Sequence, residues 1–174
     1  GYAGGKKENP FFLNEAANTE TLEVDFDPTR ISYEKLLEIF WEEHDPTSRS
    51  WSTQYKAAIF YHGDEQKRQA LATRDRLAAR LGKTIRTELI LFSRFYPAEA
   101  YHQKYYLRGN KPFLTELQRY HPQDEELMNS TAAARVNGYL GRNGTADSLK
   151  AEIEGYGLSE SSRQALLHAA GVKR

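Results

Sequence analysis

Residues 57–91 read AAIFYHGDEQKRQALATRDRLAARLGKTIRTELIL, and their pattern decides the fold class. Ala57 to Tyr61 is an uninterrupted apolar run too short for a helix, so it predicts a strand covered on both faces. His62-Gly63-Asp64 breaks it. From about Glu65 to Leu81, Leu71, Leu77, Ala78 and Leu81 recur on one side, with Lys67, Arg68, Arg74, Arg76 and Arg80 on the other. That spacing predicts a long helix closed by Gly82. Thr87 to Leu91 is a second strand. Strand, helix, strand is the unit from which layered folds of helices on a sheet are built.

The flanks extend the pattern. Ser32 is placed to cap a helix in which Tyr33, Leu36, Leu37, Phe40 and Trp41 share a face, ending before His44-Asp45-Pro46. Upstream, Thr21 to Phe26 alternates, with Leu22, Val24 and Phe26 on one face, which predicts a half-buried strand. Gly1 to Asn9 carries three glycines and reads as a loop. Pro97 opens a predicted short helix through about Tyr106. Beyond Asp124 strand signals stop, and two short helices are expected, one capped by Thr145 and one by Ser159. The expected division is residues 1–122 as an α/β domain and 123–174 as a helical extension.

Composition narrows the function classes. The 24 basic and 24 acidic side chains cancel, which gives no support for general attachment to nucleic acid or an anionic bilayer. Charge is uneven, however: residues 1–60 hold 6 basic and 11 acidic side chains, and residues 61–174 hold 18 and 13. No run approaches the roughly 18 apolar residues of a spanning helix, so no membrane partner is expected. The chain has no cysteine, which excludes disulfides, thiolate metal sites and a cysteine nucleophile among these 174 residues.

Glu20 is the most informative position. Strand parity places it in register with Leu22, Val24 and Phe26, so its carboxyl is expected on the apolar side. Desolvation there raises a carboxyl pKa and suits it to act as a general acid, whereas a strand-end glutamate reaching solvent is the plain alternative. Trp51-Ser52-Thr53-Gln54-Tyr55 brings an indole, an amide and a phenol to the edge of the sheet, and Tyr55 can donate a hydrogen bond from an apolar ring. Phe11-Phe12 adds an aromatic pair near the glycine loop. His44 and His102 lack companions at metal-ligand spacing and are read as capping or buried hydrogen-bonding groups; no metal and no cofactor are expected.

Several ordered segments together resemble the methionine sulfoxide reductase A family, the peptide-methionine (S)-S-oxide reductases. They are Gly1-Tyr2-Ala3-Gly4-Gly5, Asn9-Pro10, Thr19-Glu20-Thr21-Leu22-Glu23-Val24, Asp27-Pro28, Ile31-Ser32-Tyr33, Phe40-Trp41, His44-Asp45-Pro46-Thr47, Gln54-Tyr55, Thr87-Glu88, Phe95-Tyr96 and Tyr101-His102-Gln103. The resemblance implies an α/β (α+β) fold with a ferredoxin-like mixed sheet, here with a C-terminal helical extension. It implies a reductase that removes oxygen from the S epimer of methionine sulfoxide, free or in proteins, in oxidative damage repair. In that chemistry a thiolate attacks the sulfoxide sulfur while a glutamic acid and tyrosines bind and protonate its oxygen. The matching positions are Glu20 for the acid and Tyr55 for the tyrosine after glutamine, with Phe12, Trp51 and Ser50 as substrate-binding candidates.

The departures are specific. The family's Gly-Cys-Phe-Trp nucleophile motif precedes the glycine loop at which this sequence starts, so the attacking cysteine or selenocysteine is expected upstream of Gly1. Phe12 replaces the usual tyrosine after Asn-Pro, Asn18 stands where a histidine is usual, and Ser50 stands where an aspartate often precedes the glutamine by four positions. The expected partner besides methionine sulfoxide is an external thiol reductant, glutaredoxin with glutathione or thioredoxin, in the cytoplasm. The alternative is a non-catalytic module that binds sulfoxides or peptides on a degenerate reductase fold.

Overall fold

The computed structural model describes residues 1–5 and 18–170, which pack as two compact units, Gly1–Ala98 and Glu99–Arg174. The first unit contains β1 (Tyr2–Ala3), β2 (Thr19–Glu20), α1 (Tyr33–Glu42), β3 (Ala58–Tyr61), α2 (Asp64–Leu81), β4 (Glu88–Leu91) and β5 (Phe95–Tyr96). β3 and β4 pair in parallel, Ala58 against Glu88 through Tyr61 against Leu91, and α2 is the crossover that a parallel pair requires. β1 is flanked by β2 and β5, both antiparallel to it. The class is α/β, with its parallel and antiparallel pairings divided between two short sheets.

Local signals explain the helices. The Ser32 hydroxyl accepts from the Lys35 amide at 3.1 Å and starts α1, which buries Leu37 and Trp41. α2 stops at Gly82, whose φ of 62° is left-handed. Its inward face is Ala70, Thr73 and Leu77, which meet Leu37, Trp41 and Ile59 in a common core. The buried Trp41 indole donates to Thr73 Oγ1 at 3.0 Å, so the one polar atom of that ring is paired. Leu81, expected inward, is exposed in the last turn. Gly4 lies at φ 77°, and a Cβ there would meet the Phe60 ring at 2.6 Å, so the glycine loop can lie against β3 only without a side chain.

Three further expectations are corrected. Residues 21–26 form no strand: β2 ends at Glu20, and Leu22 and Val24 are 85% and 51% exposed. Alternation shows which residues could share a face, but a strand needs a neighbour, and β1 offers only two residues of ladder. β3 is a strand, yet only Ile59 in it is buried. The helix expected from Pro97 to Tyr106 is instead a 3₁₀ turn at Ala100–His102 and α3 (Tyr105–Arg108), separated by Lys104 at φ 52°.

The second unit continues with α4 (Lys111–Gln118), α5 (Asp124–Asn129), α6 (Thr131–Leu140), α7 (Ala146–Glu152), a 3₁₀ turn at Ile153–Tyr156 and α8 (Glu160–Ala169). Thr145 and Ser159 cap α7 and α8 as expected. No glycine or proline separates α5 from α6, so no sequence signal marks their boundary; Ser130 ends one and caps the other, its hydroxyl accepting from the Ala133 amide. Leu107, Leu117, Leu127, Val136, Leu149 and Leu166 are fully buried in one cluster. Leu149→Ala is expected to cost about 2–5 kcal/mol in denaturant unfolding. Leu22→Ala, at an exposed position, is expected to stay within about 0.5 kcal/mol. Equal effects would contradict the burial of α7.

Candidate active site

The site is assembled where the loop between α1 and β3 meets β2. That loop begins with a rigid turn: Asp45 Oδ1 accepts from the Thr47 amide and hydroxyl at 2.9 and 2.8 Å, and Oδ2 accepts from the Ser48 hydroxyl at 2.7 Å. The Ser48 hydroxyl first, and Thr47 after it, hold the Asp45 carboxyl down at about 2. His44 fastens the preceding helix end, with Nδ1–H donating to Phe40 O at 2.8 Å and Nε2 paired to Thr87 Oγ1 at 2.9 Å. That agrees with the capping role expected of it.

The far end of the loop is sewn to β2. The Glu20 amide donates to Gln54 O at 2.9 Å, and the Thr19 hydroxyl donates to Thr53 O at 3.1 Å. This backbone register sets the Gln54 side chain beside Glu20. Its Nε2 donates to Glu20 Oε1 at 3.0 Å and to the Tyr55 hydroxyl at 2.9 Å. Gln54 therefore bridges the two candidate catalytic groups. Because the phenol oxygen accepts from Gln54, its own O–H remains to donate outward. The Trp51 ring packs against Tyr55 with centroids 5.0 Å apart and planes tilted by 43°.

Glu20 is exposed, not turned to an apolar side. The expectation of burial fails for the reason that residues 21–26 are not a strand: pairing ends with Thr21 against Gly1, so parity with Leu22 and Val24 assigns no face. The plain alternative, a strand-end glutamate reaching solvent, describes its position. Tyr55 is 45% and Trp51 82% exposed, so the cluster is an open surface site. Ser50 is close in sequence but differently engaged, its hydroxyl donating to Ser52 O at 2.6 Å and accepting from the Ser52 amide. Phe12 lies outside the described residues. Asn18 is buried, and its Oδ1 accepts from the Gly5 amide at 3.1 Å, tying the glycine loop to the start of β2.

Gln54 is the residue that sequence reasoning did not place. Its signal was its position between Tyr55 and the loop, in a site where one amide can donate to two oxygens. Among the described residues no three histidine, aspartate or glutamate side chains converge as a metal site would require, and no helix is long and apolar enough to cross a membrane.

Residues 1–135 match the family model of peptide methionine sulfoxide reductase, and residues 122–165 match that of the selenoprotein methionine sulfoxide reductase A helical domain. The chain belongs to the peptide methionine sulfoxide reductase family. A peptide methionine sulfoxide reductase of Drosophila melanogaster is 40% identical over 170 residues, 94% of this chain and 66% of that protein. Peptide methionine sulfoxide reductase A5 of Oryza sativa is 39% identical over 80% of this chain and 56% of its own length. The chain thus spans less than two thirds of these relatives. Among solved structures, methionine sulfoxide reductase A of Corynebacterium diphtheriae superposes with a TM-score of 0.51 at 32% identity, covering 64% of this chain and 62% of that one. Glu20, Gln54 and Tyr55 all lie within the part matched to the reductase family.

Proposed function

We propose that the protein reduces methionine (S)-sulfoxide, free or in proteins, to methionine by thiol-dependent oxygen removal. The observation that carries this is the Gln54 amide joining Glu20 and Tyr55 in a member of the reductase family. A thiolate attacks the sulfoxide sulfur, the S–O bond breaks, and the oxygen leaves on the attacking sulfur as a sulfenic acid. The sulfoxide oxygen needs a proton as charge develops on it, and Glu20 supplies that proton while Tyr55 donates a hydrogen bond. Two further thiols reduce the sulfenic acid, giving water and a disulfide between them.

No cysteine occurs in these 174 residues, so the thiolate or selenolate comes from outside them, and the second stage falls to an external thiol such as glutathione with glutaredoxin, or to thioredoxin. The repair of oxidised proteins in the cytoplasm suits such chemistry. Residues 1–122 then form the reductase-like domain and 123–174 its helical extension. Phe113 and Leu117 of α4 share a core with Val136, Leu149 and Leu166, so the extension packs on a helix that precedes it.

Tyr55→Phe tests the hydrogen bond, because the ring keeps its place against Trp51. In a full-length protein carrying the nucleophile, kcat/KM is expected to fall by the equivalent of about 1–2 kcal/mol, the worth of one such bond. Unchanged turnover together with a lower unfolding midpoint would make Tyr55 structural only.

A further inference from the structure

A second concavity shares Trp51 with the candidate active site. It is an open cavity of about 440 Å³ between the loop of residues 48–57 and the start of β4, and its walls include Arg49, Trp51, Lys56, Arg86 and Glu88. Three cations face one carboxylate. Lys56 Nζ is paired to Glu88 Oε2 at 2.8 Å, which leaves the Arg49 and Arg86 guanidiniums without a carboxylate partner among the described residues. The concentration is notable in a segment rich in acid, since Arg49 and Lys56 are two of only 6 basic side chains in residues 1–60. The remaining wall is mostly serine and threonine hydroxyl, so an apolar ligand finds little to bury against.

We propose that this cavity receives the carboxylate of an aspartate or glutamate adjacent to the oxidised methionine of a peptide substrate, making the protein selective for acidic sequence context. The inference rests on the reductase reading and deepens it. Arg49 and Arg86 can each grip a carboxylate through two parallel N–H groups. Glu88 on the same wall sets a limit on charge: it tolerates a monoanion paired with two arginines better than a phosphate dianion. Trp51 forms a wall of the cavity and packs at a tilt against Tyr55, so a peptide crossing it can seat a sulfoxide by Tyr55 and its neighbour's side chain by the arginines.

Binding can be read without catalysis. Trp41 is buried and hydrogen-bonded, whereas Trp51 is exposed, so a ligand at the cavity changes tryptophan emission chiefly through Trp51. The 174-residue chain is titrated with blocked peptides in which methionine (S)-sulfoxide is flanked by Glu, Gln or Lys. At low ionic strength the Glu peptide is expected to bind about 10-fold tighter than the Gln peptide, and the ratio to approach one at about 0.5 M salt. In Arg49→Gln with Arg86→Gln the Glu and Gln peptides should bind alike, with Gln-peptide affinity retained. If that double substitution unfolds the chain, Arg49→Gln alone and the salt series carry the same comparison.

Equal affinity of Glu and Gln peptides, a preference that survives loss of both arginines, or no binding of either peptide would overturn the subsite. The reductase reading is tested apart from it by the Gln peptide in sulfoxide and unoxidised forms. A Glu preference without any preference for sulfoxide would keep the carboxylate subsite and count against the reductase reading.

Discussion

Glu20→Gln is expected to slow sulfoxide reduction by about 10²–10⁴-fold in the full-length protein, the span that a positioned general acid contributes. The substitution is clean because glutamine keeps the carbonyl oxygen that accepts from Gln54 and removes only the capacity to hold and release a proton. Glu20 is exposed, so its carboxyl is open to a docked sulfoxide. The deficit should therefore appear in kcat more than in KM, measured as the rate of sulfenic acid formation in a single turnover. A rate within a few-fold of the unaltered enzyme would remove Glu20 from the chemistry.

The 174-residue chain by itself is expected to show no turnover of methionine sulfoxide above a dithiothreitol control. Oxygen transfer at sulfur requires a nucleophile that can carry the oxygen away, and only a thiolate or selenolate takes that two-electron oxidation to a sulfenic or selenenic acid. Serine, threonine and carboxylate groups, all present near Gln54, do not. The same chain should still bind sulfoxide peptides, since Glu20, Tyr55 and Trp51 are in place. In the full-length protein, mass analysis after one turnover without reductant should find no disulfide involving residues 1–174, because they contain no cysteine. Measurable reduction of the S epimer by the isolated chain would overturn the thiolate mechanism.

Much of the candidate site was legible as composition but not as geometry. Glu20 and Tyr55 stand out by type and motif, and they do come together. What joins them is Gln54, and its role depends on the pairing of residue 20 with residue 54 across 34 positions. Ser50 shows the converse. Its place four residues before Gln54 marks it as a candidate, yet its hydroxyl is taken up by Ser52 two residues away, a local turn that competes for such side chains.

The residues alone determined the caps at Ser32, Thr145 and Ser159, whose hydrogen bonds close within a few positions, the stop at Gly82, and the strand–helix–strand order of residues 58–91. These depend on backbone conformation and near neighbours, which the sequence specifies directly. Tertiary structure decided the rest. Thr21 to Phe26 alternates as a strand should, but only Thr21 finds a backbone partner, in Gly1, and the chain beyond it leaves Leu22 and Val24 exposed and frees Glu20 from the face that parity assigned it. Arg49 and Arg86, 37 positions apart, line one cavity only because the loop before β3 and the start of β4 are brought together by the parallel pairing of the two strands. A side chain's neighbours across a fold are chosen by the packing of whole elements, and no local pattern carries that information.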